Sequence, residues 1–158
     1  MQLSKNFKLD EFVVSDIAII RGINNTPNNI QIENLRNLCI DCLQPARDVF
    51  NKAIRINSGF RSAELNEALR EANYKASPTS QHMSGEAADI TAADKKNNKA
   101  LFDIILKRGV FDQLIWENGD NQNPDWIHVS YRKNRKQILR MLNGSTTHTA
   151  YDLTKWTK

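Results

Sequence analysis

Apolar residues recur at helical spacing over one long stretch. Leu35, Leu38, Cys39, Cys42, Ala46, Val49 and Phe50 fall on one face of a helix that Pro27 and Asn28 open. Pro45 lies inside that stretch and predicts a kink, because proline lacks an N–H and its ring strikes the carbonyl four residues back. A β-branched run at 54–57 ends at Ser58-Gly59, and Leu65, Ala68 and Leu69 then share one face of a helix over 64–72. This order reads as strand, turn, helix. A second strand is expected at 87–91, and Asp94 is placed to cap a helix through Leu101, Ile104 and Ile105 that stops at Gly109. Two alternating runs, 113–117 and 126–131, flank the polar loop 118–125 and predict a hairpin. Helices followed by a mostly antiparallel sheet make the expected class α+β.

With 158 residues, no internal repeat and no Pro/Ser-rich linker, one folded unit is the economical reading, and a monomer is the simplest expectation. The longest apolar run, residues 17–20, is far short of the roughly 20 residues that span a bilayer, so no membrane insertion is expected. Residues 1–8 contain no apolar block of the kind a signal peptide needs, so synthesis in the cytoplasm is expected. The net charge of +4 suits an anionic partner without requiring one, and residues 132–140 hold five basic and no acidic residues, which reads as a solvated basic face. No recognition helix or interleaving of basic and aromatic residues accompanies that charge, so nucleic acid is not expected as a partner. Cys39 and Cys42, one turn apart in the apolar stripe, are expected as buried thiols, because a four-cysteine zinc site needs a second pair.

The chemistry concentrates around two of the three histidines. In Ser80-Gln81-His82-Met83-Ser84-Gly85-Glu86-Ala87-Ala88-Asp89, a loop histidine precedes a glycine that permits a tight turn, and an aspartate follows on the next strand, so imidazole and carboxylate can converge. In 125–131, alternation puts Trp126, His128 and Ser130 on one face and Ile127, Val129 and Tyr131 on the other. Two histidines and one carboxylate, His82, Asp89 and His128, make the three-ligand pattern of a catalytic zinc site, whose fourth position is left for water. Hydrolysis then needs a carboxylate to move the proton. Asp125, three residues before His128, is the first candidate, and Glu117, on the strand expected to pair with that of His128, is its rival. Ser80, Gln113, Glu117 and Trp126 are candidate substrate-binding residues, whereas at least one of Trp116 and Trp126 is expected in the core.

These motifs resemble those of the zinc D-alanyl-D-alanine carboxypeptidases and their relatives, the phage L-alanyl-D-glutamate endolysins and the D,D-dipeptidases of vancomycin resistance. The first zinc motif stands at Ser80, His82 and Asp89, the second at Asp125 and His128, and a Ser-Gly-x-Arg element at Ser58-Gly59-Phe60-Arg61. The resemblance runs from about Phe7 to about Arg140. It implies the small fold shared by D,D-peptidases and the hedgehog signalling domain, with Zn²⁺ on an antiparallel sheet. It also implies Asp125 as general base and then acid, and Arg61 as a substrate-facing arginine that helps the metal stabilise the oxyanion. The substrate class it implies is peptidoglycan stem peptides, cut at the D-Ala-D-Ala bond or between L-Ala and D-Glu. A lysin released to the periplasm or wall by a holin, a cytoplasmic recycling enzyme and a toxin-like effector all suit such a domain, and a non-catalytic zinc module of the same fold is the alternative. The expected domain is 1–142, with 143–158 a peripheral extension in which His148 has no obvious partner.

Overall fold

The computed structural model describes residues 1–74, 76–132 and 134–155. The chain starts with a two-strand ribbon, β1 (Gln2–Ser4) and β2 (Phe7–Lys8), and two short helices, α1 (Leu9–Val13) and α2 (Asp16–Arg21). The long apolar stripe follows as α3 (Asn29–Asn37), a π-helical segment (Leu38–Leu43) and α4 (Gln44–Phe50). Asn28 caps it as expected, by a reciprocal exchange of side-chain and backbone hydrogen bonds with Gln31. At Pro45 the expected kink takes the form of that wide turn, closed by a hydrogen bond from the Gln44 N–H to the Cys39 carbonyl five residues back. The wide turn advances the phase of the stripe, so Leu43 is fully buried while Val49, expected in the core, is 61% exposed. Cys39 and Cys42 are buried free thiols. Burial pushes the Cys42 thiol up to about 12, so neither a thiolate ligand nor a nucleophile is available at this position.

Next come β3 (Ile54–Ser58), α5 (Ala63–Glu71), β4 (Ala87–Ala92), α6 (Asn98–Arg108), β5 (Gln113–Glu117), β6 (Trp126–Ser130), β7 (Gln137–Met141) and β8 (Thr149–Ala150). Asp94 caps a 3-10 turn (Lys95–Asn97) that leads directly into α6, and Gly109 ends that helix in the left-handed conformation. Six strands form one sheet in the order β3-β4-β6-β5-β7-β8, antiparallel except for the β5–β7 pair. The fold is a mixed α and β one with a mostly antiparallel sheet, as the hydrophobic pattern predicts. Among the described residues no helix is long and apolar enough to cross a membrane.

Register divides the sheet into two faces. Ile90, Ile127 and Trp116 stand side by side across β4, β6 and β5, as do Ala88, Val129 and Leu114, and all six are buried in the core that the long helix and α6 cover. On the opposite face, Asp89, His128 and Ile115 share one level, and Trp126 pairs with Glu117 one step along. Trp116 is therefore the core tryptophan, packed edge-on to Phe102, while Trp126 belongs to the other face.

Two expectations for the end of the chain are corrected. Residues 132 and 134–140, with 133 outside the described residues, are not a plain solvated face: Arg132 pairs with the buried Glu86, Arg135 with the fully buried Asp112, and 137–141 form β7. Residues 143–155 are not peripheral either, since β8 extends the sheet and the Tyr151 ring packs, tilted, against Phe102 and Trp116. Between β6 and β7 the chain must pass the start of β5, and Asp112 pins it there by accepting hydrogen bonds from the Arg135 backbone N–H at 2.7 Å and from its guanidinium Nη2 at 2.7 Å. Burial favours the neutral carboxyl of Asp112, but the hydrogen bonds from Arg135 outweigh it and hold the group below its ordinary range. Arg135→Ala is expected to cost about 2 kcal/mol of unfolding free energy at pH 7. Because the folded-state value of Asp112 is depressed, that contribution is present above 3.8 and is lost as pH falls through the folded value, so urea unfolding should show a progressively smaller loss as pH falls below 3.8.

Candidate metal centre

Three local structures deliver the candidate ligands His82, Asp89 and His128. His82 sits in a 3-10 turn (Gln81–Ser84) whose N-cap is Ser80 and whose C-cap is Gly85 in the left-handed conformation. A side chain at Gly85 would meet the Gln31 carbonyl at 2.4 Å, so glycine is needed for the turn to lie against α3. Gln31 and Asn34 of that helix donate to the Met83 and Ser84 carbonyls and lock the turn in place. Asp89 and His128 are the cross-strand pair described above.

The donor atoms converge. His82 Nε2 lies 3.3 Å from His128 Nδ1 and 3.4 Å from Asp89 Oδ1, and His128 Nδ1 lies 2.9 Å from the same oxygen. Ligands of one tetrahedral zinc ion stand roughly 3.3–3.6 Å apart, so the first two spacings match and the third is at hydrogen-bond length. His82 Nδ1 is 2.6 Å from the Gly59 carbonyl; as the donor there, it leaves a lone pair on Nε2 aimed at the other two ligands. Burial favours the neutral form of Asp89, but the charge and hydrogen bonds of His82 and His128 overcome it and hold the carboxyl well below its usual range. Burial also lowers the His82 imidazole. Both shifts favour the ligating forms, an ionised carboxylate and a neutral imidazole. Among the described residues, His82, Asp89 and His128 are the group that could hold a metal ion. A set of two imidazoles and one carboxylate fits zinc, though other divalent ions of the same series also accept such donors.

Arg61 reaches the site through the turn after β3. A bulge between Ile56 and Ser58 brings Ser58 opposite Asp89, and Gly59 then packs so closely on α1 that an added Cβ would lie 2.6 Å from the Phe12 carbonyl. The guanidinium donates from Nη2 to Asp89 Oδ2 at 2.8 Å and from Nε to Ser58 Oγ at 2.9 Å. Arg61 thus holds the candidate ligand Asp89 while lining the cleft in which the family resemblance has it face substrate.

A cleft of about 990 Å³ opens over the three ligands. Arg61, Ser80, Gln113, Glu117 and Trp126 all line it, with Ile115 and Leu139 as apolar wall. Asp125 does not. Its side chain is exposed, and it precedes a strand in which odd-numbered residues face the core and even-numbered ones the cleft. Glu117 is 8% exposed, lies on the cleft face, and keeps Oε2 buried without a hydrogen-bond partner among the described residues. No donor among the described residues reaches that oxygen, so the buried carboxylate is only half satisfied within the chain. Two further cleft residues escaped sequence reasoning, Arg135 and His148, both placed by contacts distant in sequence.

Calorimetric titration with Zn²⁺ is expected to give one site per chain. His82→Ala should abolish it, and Arg61→Ala should weaken it by about 10–100-fold. In the metal-free protein His82 has a depressed value, so its contribution to stability is complete above 6.5 and falls as pH drops below that. The melting temperature should therefore decline on acidification from pH 7, and His82→Gln should flatten that decline.

No curated protein matches the chain. A profile of the family described as Peptidase M15 matches residues 5–130, which include all three ligands, Arg61 and Glu117. The order of those residues, their convergence on one sheet face and the extent of the match all lead to the same assignment: the chain belongs to the peptidase M15 family, the zinc peptidases of D-alanyl-D-alanine carboxypeptidase type.

Proposed function

We propose that this protein hydrolyses amide bonds in the stem peptides of bacterial peptidoglycan, at the terminal D-Ala-D-Ala bond or between L-Ala and D-Glu. The observation that carries the reading is the convergence of His82, Asp89 and His128 in a large cleft beside the buried, half-partnered carboxylate of Glu117. A zinc ion held by those three residues would supply Lewis-acid polarisation of the carbonyl and a lowered pKa for water. The chain's own residues do the rest. Glu117 takes the proton from the attacking water and returns it to the leaving amine, which is the role the motif spacing first suggested for Asp125. Arg61 keeps Asp89 in its ligating orientation. Trp126, Ile115 and Leu139 offer apolar wall to the substrate's side chains, and Ser80 and Gln113 offer hydrogen bonds to its backbone. Release to the wall by a holin and action within the cytoplasm are both consistent with this chemistry.

A non-catalytic zinc module would need the three ligands but has no use for a half-partnered carboxylate in the wall of the same cleft, so Glu117 favours catalysis. The test is mass spectrometry of muropeptides incubated with zinc-loaded protein. Loss of one alanine identifies a carboxypeptidase, and scission between L-Ala and D-Glu an endopeptidase. Glu117→Gln should keep zinc and slow the reaction by at least about 100-fold, while Asp125→Ala should stay within about threefold of wild type. The opposite ranking would return the base to Asp125, and no product from loaded wild-type protein would leave the non-catalytic module.

A further inference from the structure

The family profile ends at residue 130, yet the chain beyond it returns to the cleft. The Asn143 N–H donates to the Gly119 carbonyl before the excursion, and β8 pairs with β7 directly after it, with Leu139 opposite Ala150 and Arg140 opposite Thr149. Tyr151 then anchors the segment, its backbone N–H on the Ile138 carbonyl and its ring 5.1 Å from Phe102. Held on both sides, His148 places Nε2 3.0 Å from Glu117 Oε1. It lines the same cleft as His128 and Trp126. The other carboxylate oxygen, Oε2, is the buried one without a partner.

We propose that His148 is a positioning residue for Glu117: its imidazole donates from Nε2 to Oε1 and fixes the carboxylate in one orientation in the wall of the cleft. This rests on the reading of Glu117 as the general base. A free glutamate side chain rotates about three bonds, and a base gains rate from being held in one geometry. The His148 side chain is 37% exposed, so its pairing with Glu117 adds little to overall stability and its effect falls on orientation.

Muropeptide turnover by zinc-loaded protein tests the rate effect. His148→Ala is expected to lower kcat about tenfold with KM and zinc stoichiometry unchanged, and His148→Gln, which keeps an N–H donor, to recover to within about threefold of wild type. A readout independent of activity tests the contact. In metal-free protein, His148→Ala should lower the melting temperature by about 2 °C in the wild-type background and not at all in Glu117→Ala. Additive shifts would show that the two side chains do not interact and overturn the proposal. Coupled shifts with unchanged kcat, or equal defects in the Ala and Gln variants, would reduce His148 to a structural residue and overturn it as well. Coupled shifts in a wild-type protein that cleaves no muropeptide would instead remove Glu117 from the role of base, and His148 from positioning it, while keeping the contact.

Discussion

A buried carboxylate costs free energy for each oxygen left without a cation or donor, and at Asp89 both oxygens are satisfied by partners that organise the surrounding chain. Oδ1 faces the two imidazoles and Oδ2 faces Arg61. Each partner arrives by a different structural device: His128 by the pairing of β6 with β4, His82 by a turn that glycine at 85 lets settle on α3, and Arg61 by a bulge and a glycine that packs on α1. Three distant segments thus meet at one side chain. The same arrangement suits a divalent ion, since the lone pairs that converge on Oδ1 repel one another unless a proton or a cation lies between them.

The sheet makes this affordable in structural terms by separating two tasks. Its core face carries Ile90, Ile127, Val129, Leu114 and Trp116, whose burial against the helices supplies the hydrophobic stabilisation that a domain of this size needs. Its other face is thereby free to hold polar groups that stabilise the fold little. Rigid strands fix the spacing of Asp89, His128 and Glu117 more tightly than loops would, which is what a reaction centre requires. The last residues of the chain add to both faces: Tyr151 joins the core cluster around Phe102, and His148 reaches Glu117.

Much of this was legible from residue pattern. The strands at 54–58, 87–92, 113–117 and 126–130 follow from alternation and turn residues, and the ligands follow from two short motifs. Period-two alternation also separates Asp125 from His128, whereas motif spacing alone joins them. Glu117 is tied to the site only by register, its pairing with Trp126, which depends on how the loop 118–125 closes the hairpin. β7 is hidden because Arg135 before it and Arg140 within it read as solvent-facing charge, when in the fold Arg135 is bound by a buried aspartate and Arg140 lies over the Trp116 ring. Pro45 signals a disturbance of the helix but not its form, and the choice of a wide turn exchanged Val49 for Leu43 in the core. His148 meets Glu117 across 31 residues of sequence, a contact that no local pattern encodes.

The central claim is that one metal ion is held by His82, Asp89 and His128 on the cleft face of the sheet. Zinc K-edge X-ray absorption on protein loaded with one equivalent tests it most directly. A four-coordinate site of nitrogen and oxygen donors at about 2.0–2.2 Å is expected, with two imidazoles that disappear together with tight binding in His82→Ala. A sulfur scatterer at about 2.3 Å would place the ion on Cys39 and Cys42, and an unchanged spectrum in His82→Ala would place it elsewhere on the surface; either result would contradict the account.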